Sequence, residues 1–114
     1  MQYMMLIYVG EPGPDVPSEA EMAAVTAEYF GIRQVPGVTA GGHLQAADTA
    51  TTVRVQDGRT LTTDGPFVET KEELGGYYLF EADDLDAAIE LAARIPAARL
   101  GGAVEVRPIV EMAH

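Results

Sequence analysis

Cysteine is absent from the 114 residues. That excludes a disulfide scaffold, a thiolate nucleophile and any cysteine-ligated zinc or iron–sulfur centre. Serine occurs once, at Ser18, where it suits a helix cap better than a nucleophile, so covalent serine chemistry is excluded too. Histidine occurs twice, His43 and His114, never as two ligands one helical turn apart, and no metal motif results. The glycine pairs Gly41-Gly42, Gly75-Gly76 and Gly101-Gly102 stand alone, outside any phosphate-cradling pattern. No metal and no cofactor are expected. Positive charge is scarce: 7 Lys+Arg oppose 18 Asp+Glu, for a net charge of −11. Such a field repels phosphate backbones and anionic lipid, so nucleic acid and membrane are poor partners. No long hydrophobic run exists either. The apolar start, Met1 to Val9, is too short to span a bilayer and lacks a basic leader and cleavage site, so a cytoplasmic protein is expected.

What is present is an ordinary globular composition, 47% apolar and 22% charged, and a length that fits one domain over residues 1–114. Both alternating sets of Tyr3 to Val9 are apolar, which predicts a first strand covered on both faces. Gly10 to Pro17 reads as a loop, since its prolines and glycines sustain neither helix nor ladder. Ser18 with Glu21 is a capping-box signal. The helix behind it places Met22, Val25, Tyr29 and Ile32 on one stripe and ends at Pro36-Gly37.

Val38 to Gln45 reads as a second strand, with Gly41-Gly42 suggesting a bend or bulge. Thr52 to Gln56, Asp57-Gly58 and Arg59 to Thr63 form a hairpin, Asp-Gly supplying the positive-φ residues of a type I′ turn. Its register sets Val55 opposite Thr60 and Arg54 opposite Leu61. A charged connector, Val68 to Leu74, leads through Gly75-Gly76 to a strand over Tyr77 to Glu81. Asp83 or Asp84 caps a second helix with Leu85, Ile89 and Ala92 on its buried stripe. Ile95-Pro96 ends it, and Val104 to Ile109 is the last strand.

Two helices alternating with a mostly antiparallel sheet predict the α+β class, a ferredoxin-like sandwich. Helices cover one face of such a sheet and leave the other apolar face bare, so a homodimer pairing two sheets into a barrel is expected.

The run from Asp64-Gly65-Pro66-Phe67 through Val68-Glu69-Thr70-Lys71-Glu72-Glu73-Leu74 to Gly75-Gly76-Tyr77-Tyr78 resembles the signature of the DGPF group of the YCII-related family. Ala50 to Arg54, Asp83 to Ala88 and Val104 to Pro108 agree with it, and the likeness covers roughly residues 1–110. The resemblance implies a dimeric α+β barrel. Its wider superfamily holds small lyases and isomerases acting on ring-derived organic acids, and relatives in the group often lie beside sigma-factor genes. The YCII branch proper is associated with a histidine–aspartate pair whose histidine lies in the first helix. Residues 18–36 contain no histidine here, so that pair is not carried over.

Six residues carry the candidate chemistry. Asp64 either caps the turn after it through its carboxylate or serves as general acid or base at the barrel mouth. His43 follows Gly41-Gly42 and is the internal side chain with an ordinary pKa near neutrality; it is either a strand-end residue or a proton carrier. Lys71 and Glu72 are part of a solvated turn, or offer a cation and a base to an anionic substrate. Arg54 holds a carboxylate if it points into the barrel and decorates an edge if it does not. Tyr77 and Tyr78 face opposite sides of their strand, so one of them at most lines a given cavity, and Tyr77 is taken as the candidate.

The leading expectation is a small-molecule ligand of organic-acid type and, if the protein is an enzyme, a cofactor-free lyase or isomerase step. His43 or Asp64 would move the proton, and Arg54 or Lys71 would hold the carboxylate. The competing class is a non-catalytic regulatory or interaction module, transcription-associated, whose acidic surface meets a basic protein and dissociates in salt.

Overall fold

Strand β1, Gln2–Val9, splits its apolar residues between two environments: Tyr3, Met5 and Ile7 are buried, while Met4, Leu6 and Tyr8 are half-buried. In the computed structural model, which describes residues 1–10 and 16–111, the first set meets both helices and the second faces outward. Most of the loop expected over Gly10 to Pro17, and His114, lie outside the described residues.

The remaining elements are helix α1 (Glu19–Arg33), strands β2 (Val38–His43), β3 (Thr51–Gln56), β4 (Arg59–Asp64) and β5 (Glu73–Glu81), helix α2 (Leu85–Arg94) and strand β6 (Ala103–Pro108). Two short 3-10 turns sit at Ala47–Thr49 and Pro96–Ala98. Four strands form one antiparallel sheet in the order β2-β5-β1-β6, and β3 with β4 forms a separate ribbon. The order of the four, with a helix after the first and third of them, is ferredoxin-like, and the expected α+β class holds. None of the described helices is long and apolar enough to cross a membrane.

Both helix starts are capped from the side chain. Ser18 Oγ accepts the Glu21 amide at 3.1 Å, and Asp84, rather than Asp83, accepts the Ala87 amide at 2.9 Å. The buried stripes differ from expectation. In α1 only Ile32 is buried, Val25 and Tyr29 are half-buried and Met22 is exposed, because the helix engages the core through its last turns. In α2 the buried residues are Ala88, Leu91 and Ala92, while Leu85 and Ile89 are exposed. Alanine lets the helix backbone approach the sheet closely, so two small side chains with Leu91 between them mark the inner arc.

Gly41-Gly42 neither bends nor bulges β2; the register irregularity lies earlier, between Val38 and Ala40. A Cβ on Gly41 would fall 2.7 Å from Tyr78 Cδ1, and one on Gly42 would fall 2.7 Å from Tyr77 Cε1. The glycines are seats for the two tyrosine rings of β5, one on each face. β2 also stops at His43, and β5 starts at Glu73, earlier than expected, with Gly75 bulged out between the pairs Ile7–Gly76 and Tyr8–Leu74.

Tyr78 donates its hydroxyl to the Tyr29 carbonyl at 2.9 Å, tying the sheet to α1. Burial raises the phenol pKa of both Tyr78 and Tyr29. A phenol whose folded pKa lies above its unfolded value contributes stability that is intact below the unfolded pKa, about 10, and is lost as pH rises through the folded value. The melting temperature is therefore expected to fall above about pH 10 in a way that Tyr78→Phe and Tyr29→Phe together reduce. An unchanged alkaline limb in the double variant would remove these phenols from the account.

The β3–β4 ribbon keeps the expected register, Val55 opposite Thr60 and Arg54 opposite Leu61. Asp57 and Gly58 take φ of 52° and 75°, the left-handed pair of a type I′ turn. Its base is closed by Gly65 N–H donating to the Ala50 carbonyl at 2.7 Å and Thr52 Oγ1 donating to the Gly65 carbonyl at 2.8 Å. Beyond that base, every ribbon residue except Thr52 is exposed.

Candidate ligand groove

The outward face of the four-stranded sheet is assembled from pairs that share a side: Met4 with Leu79, Leu6 with Tyr77, and Tyr8 with Ala103. At the Tyr8 end, the connector after Phe67 passes near β1 and the start of β6 and enters β5. It is not a helical turn. It runs through bends at Lys71 and Glu72 straight into the strand at Glu73, and Thr70 Oγ1 donates to the Glu72 carbonyl, pinning the bend.

Two open grooves flank this connector. The first, about 650 Å³, is lined by Tyr8, Thr70, Lys71, Glu72, Ala103, Val104 and Glu105. The second, about 810 Å³, runs from the Leu44–Ala50 segment to Pro66, Val68 and Glu73, and shares Tyr8, Thr70 and Glu72 with the first. Glu105 is held by Arg107 Nε at 2.6 Å. Lys71, the only lysine of the chain, makes no ion pair among the described residues, nor does Glu72. The first groove thus presents one ammonium, one unengaged carboxylate and one phenol beside Ala103 and Val104. An ammonium suits a carboxylate-bearing ligand, and a neighbouring carboxylate suits proton transfer. No group of three or more metal-ligating side chains occurs among the described residues.

Of the six residues singled out from the sequence, the structure brings Lys71 and Glu72 together in the first groove. Tyr77 lies on the outward face beside Leu6, short of either groove. His43 is exposed at the end of β2, across from Gly76, and lines neither groove. Asp64 is exposed at the end of β4 and likewise lines neither. Its carboxylate does not cap the turn: no hydrogen bond reaches it among the described residues, and the turn rests instead on the Gly65 and Thr52 bonds and on Gly65 at φ 98°. Arg54 lines neither groove. Its guanidinium lies 4.7 Å above the centroid of Phe67, a surface cation–π contact of about 0.5–1 kcal/mol.

Sequence reasoning missed Tyr8, Thr70 and Glu105. Tyr8 carried a usable signal, a polar-tipped aromatic in the outward-facing set with Met4 and Leu6. Glu105 carried none, since its place depends on the β1–β6 register.

The YCII-related domain matches residues 1–113. The chain belongs to the YCII-related family. A relative, an uncharacterized protein of Rhizobium meliloti (strain 1021), is 34% identical over 117 residues, covering 96% of this chain and 92% of its own length. In this YCII-related chain the first helix offers no histidine to a site, and its Glu28 is engaged by Arg99 Nη2 at 2.5 Å. The chemistry available to it is concentrated at the connector instead.

Proposed function

We propose that this YCII-related protein, of the DGPF group, is a homodimer that binds a small organic acid at the connector groove and moves a proton on it without a cofactor, in a lyase or isomerase step. The observation that carries the reading is the grouping of Lys71, Glu72 and Tyr8 around one groove. In the isomerase form, Lys71 holds the ligand carboxylate, Glu72 takes a proton from the carbon next to an activating carbonyl, and the same proton returns at another carbon. Tyr8 hydrogen-bonds the oxygen on which charge develops. His43 and Asp64 stand outside both grooves of one copy, so Glu72 has the proton-moving role here. The homodimer is supported by the outward face, where Met4, Leu6, Tyr77 and Leu79 are half-buried with no helix over them.

The test is calorimetric titration with a panel of mono- and dicarboxylic acids. Losing a charge-assisted hydrogen bond costs about 1.5–3 kcal/mol, so Lys71→Ala is expected to weaken the best ligand by roughly 10- to 150-fold. Glu72→Gln is expected to retain binding and lose turnover, and His43→Ala to change neither by more than about twofold. Equal affinity in wild type and Lys71→Ala would remove the groove from the account.

A further inference from the structure

The β3–β4 ribbon is an element without a place in its own chain. Residues 51–64 extend from the sheet, and the radius of gyration, 16.3 Å, exceeds the roughly 13 Å of a compact domain this long. A lone two-stranded hairpin is marginal in water, yet one face of this one is built for burial. Val53 and Val55 stand across from Thr62 and Thr60 on that face, and the two valines are 58% and 71% exposed. The opposite face is already engaged by Arg54 lying on Phe67.

We infer that the Val53–Val55 face of the ribbon packs on a second copy of the chain, each copy embracing the other with its arm. The inference rests on the homodimer reading above and adds to it the surface that makes such a dimer stable. Four strands about 4.8 Å apart and some six residues long have a footprint of about 400 Å². Each ribbon face projects about 200 Å² more. In a two-fold pair every copy buries both its own ribbon and the surface beneath its partner's, so the arms roughly double the footprint of the seam, towards the size of a stable interface. Charge points to the same occupant. The ribbon is neutral over residues 51–64, where Arg54 and Arg59 offset Asp57 and Asp64, whereas the whole chain carries −11. A neutral arm is the part of an acidic chain that meets a second acidic copy with least repulsion. The ribbon base runs through Gly65 into Pro66 and Val68 of the second groove, so a clamped arm would hold that groove wall in place.

Sedimentation equilibrium on wild type, Val53→Thr/Val55→Thr and Leu79→Asp tests this. Threonine keeps the strand preference of the ribbon, so folding of the arm is preserved. Wild type is expected to be dimeric, with the double threonine variant weakened roughly tenfold per valine and Leu79→Asp monomeric. Isotope-filtered NOEs between Val55 methyls of one copy and protons of another are expected in the mixed dimer. Wild type sedimenting as a monomer would overturn the homodimer reading and the arm with it. A dimer that dissociates in Leu79→Asp but is unaffected in the threonine variant, with no intermolecular NOE from Val55, would keep the homodimer and overturn the arm alone.

Discussion

Met5→Ala is expected to lower the melting temperature by roughly 10–20 °C. Met5 is fully buried at the centre of β1, paired to Tyr78 on one side and Val106 on the other. Its side chain lies in the cluster shared by Ile32 of α1 and Leu91 of α2, so truncation opens a cavity where three elements meet. Large-to-small changes at such sites cost about 2–5 kcal/mol, a large share of the about 5–15 kcal/mol that holds a domain together. Denaturant titration checks it: the midpoint should fall with an unchanged slope. A loss under about 1 kcal/mol would mean that the core collapses around the missing atoms.

Gly102→Ala is expected to be comparably damaging for the opposite reason, excess rather than missing volume. A Cβ there would overlap the Tyr8 carbonyl oxygen and approach the Ala97 carbonyl oxygen to 3.2 Å. Both obstacles are backbone, and Tyr8 belongs to a strand flanked on both sides, so neither side can rotate away. Overpacking of this kind costs about 1–3 kcal/mol or more. Because Tyr8 and Ala103 both line the first groove, the variant is also expected to lose affinity for any ligand held by Lys71. Heat denaturation and ligand titration on the same sample separate the two effects. An alanine variant as stable as wild type would show that the β1–β6 end is looser than its geometry implies.

The features readable from sequence were those set by near neighbours along the chain. Asp57-Gly58 dictates a turn whatever surrounds it, and Ser18 and Asp84 find their amide partners three residues away. What escaped depended on residues distant in the chain. Gly41-Gly42 looks like a weak point until the register with β5 places Tyr78 and Tyr77 over it. The buried arc of α2 was hidden because alanine carries little hydrophobic signal, while exposed Leu85 and Ile89 carry much. Lys71 and Glu72 drew attention as charges in a connector, but only the fold sets that connector beside Tyr8 of β1. Asp64 drew attention at a strand end and Arg54 in a hairpin strand, but the turn after Asp64 rests on Gly65 and Thr52, and Arg54 lies on the ring of Phe67.

The bulge at Gly75 acts on β5 as a phase inverter. In an unbroken strand, residues 72 and 74 would share parity with Gly76 and Tyr78, whose side faces the helices. The extra residue reverses the alternation, so Leu74 pairs with Tyr8 and comes out on the same side as the odd-numbered Tyr77 and Leu79. Leu74 thereby joins Tyr8 in lining the second groove, next to the bends that carry Lys71 and Glu72. One inserted residue thus decides whether Leu74, where the connector joins the sheet, addresses the open side or the hydrophobic interior.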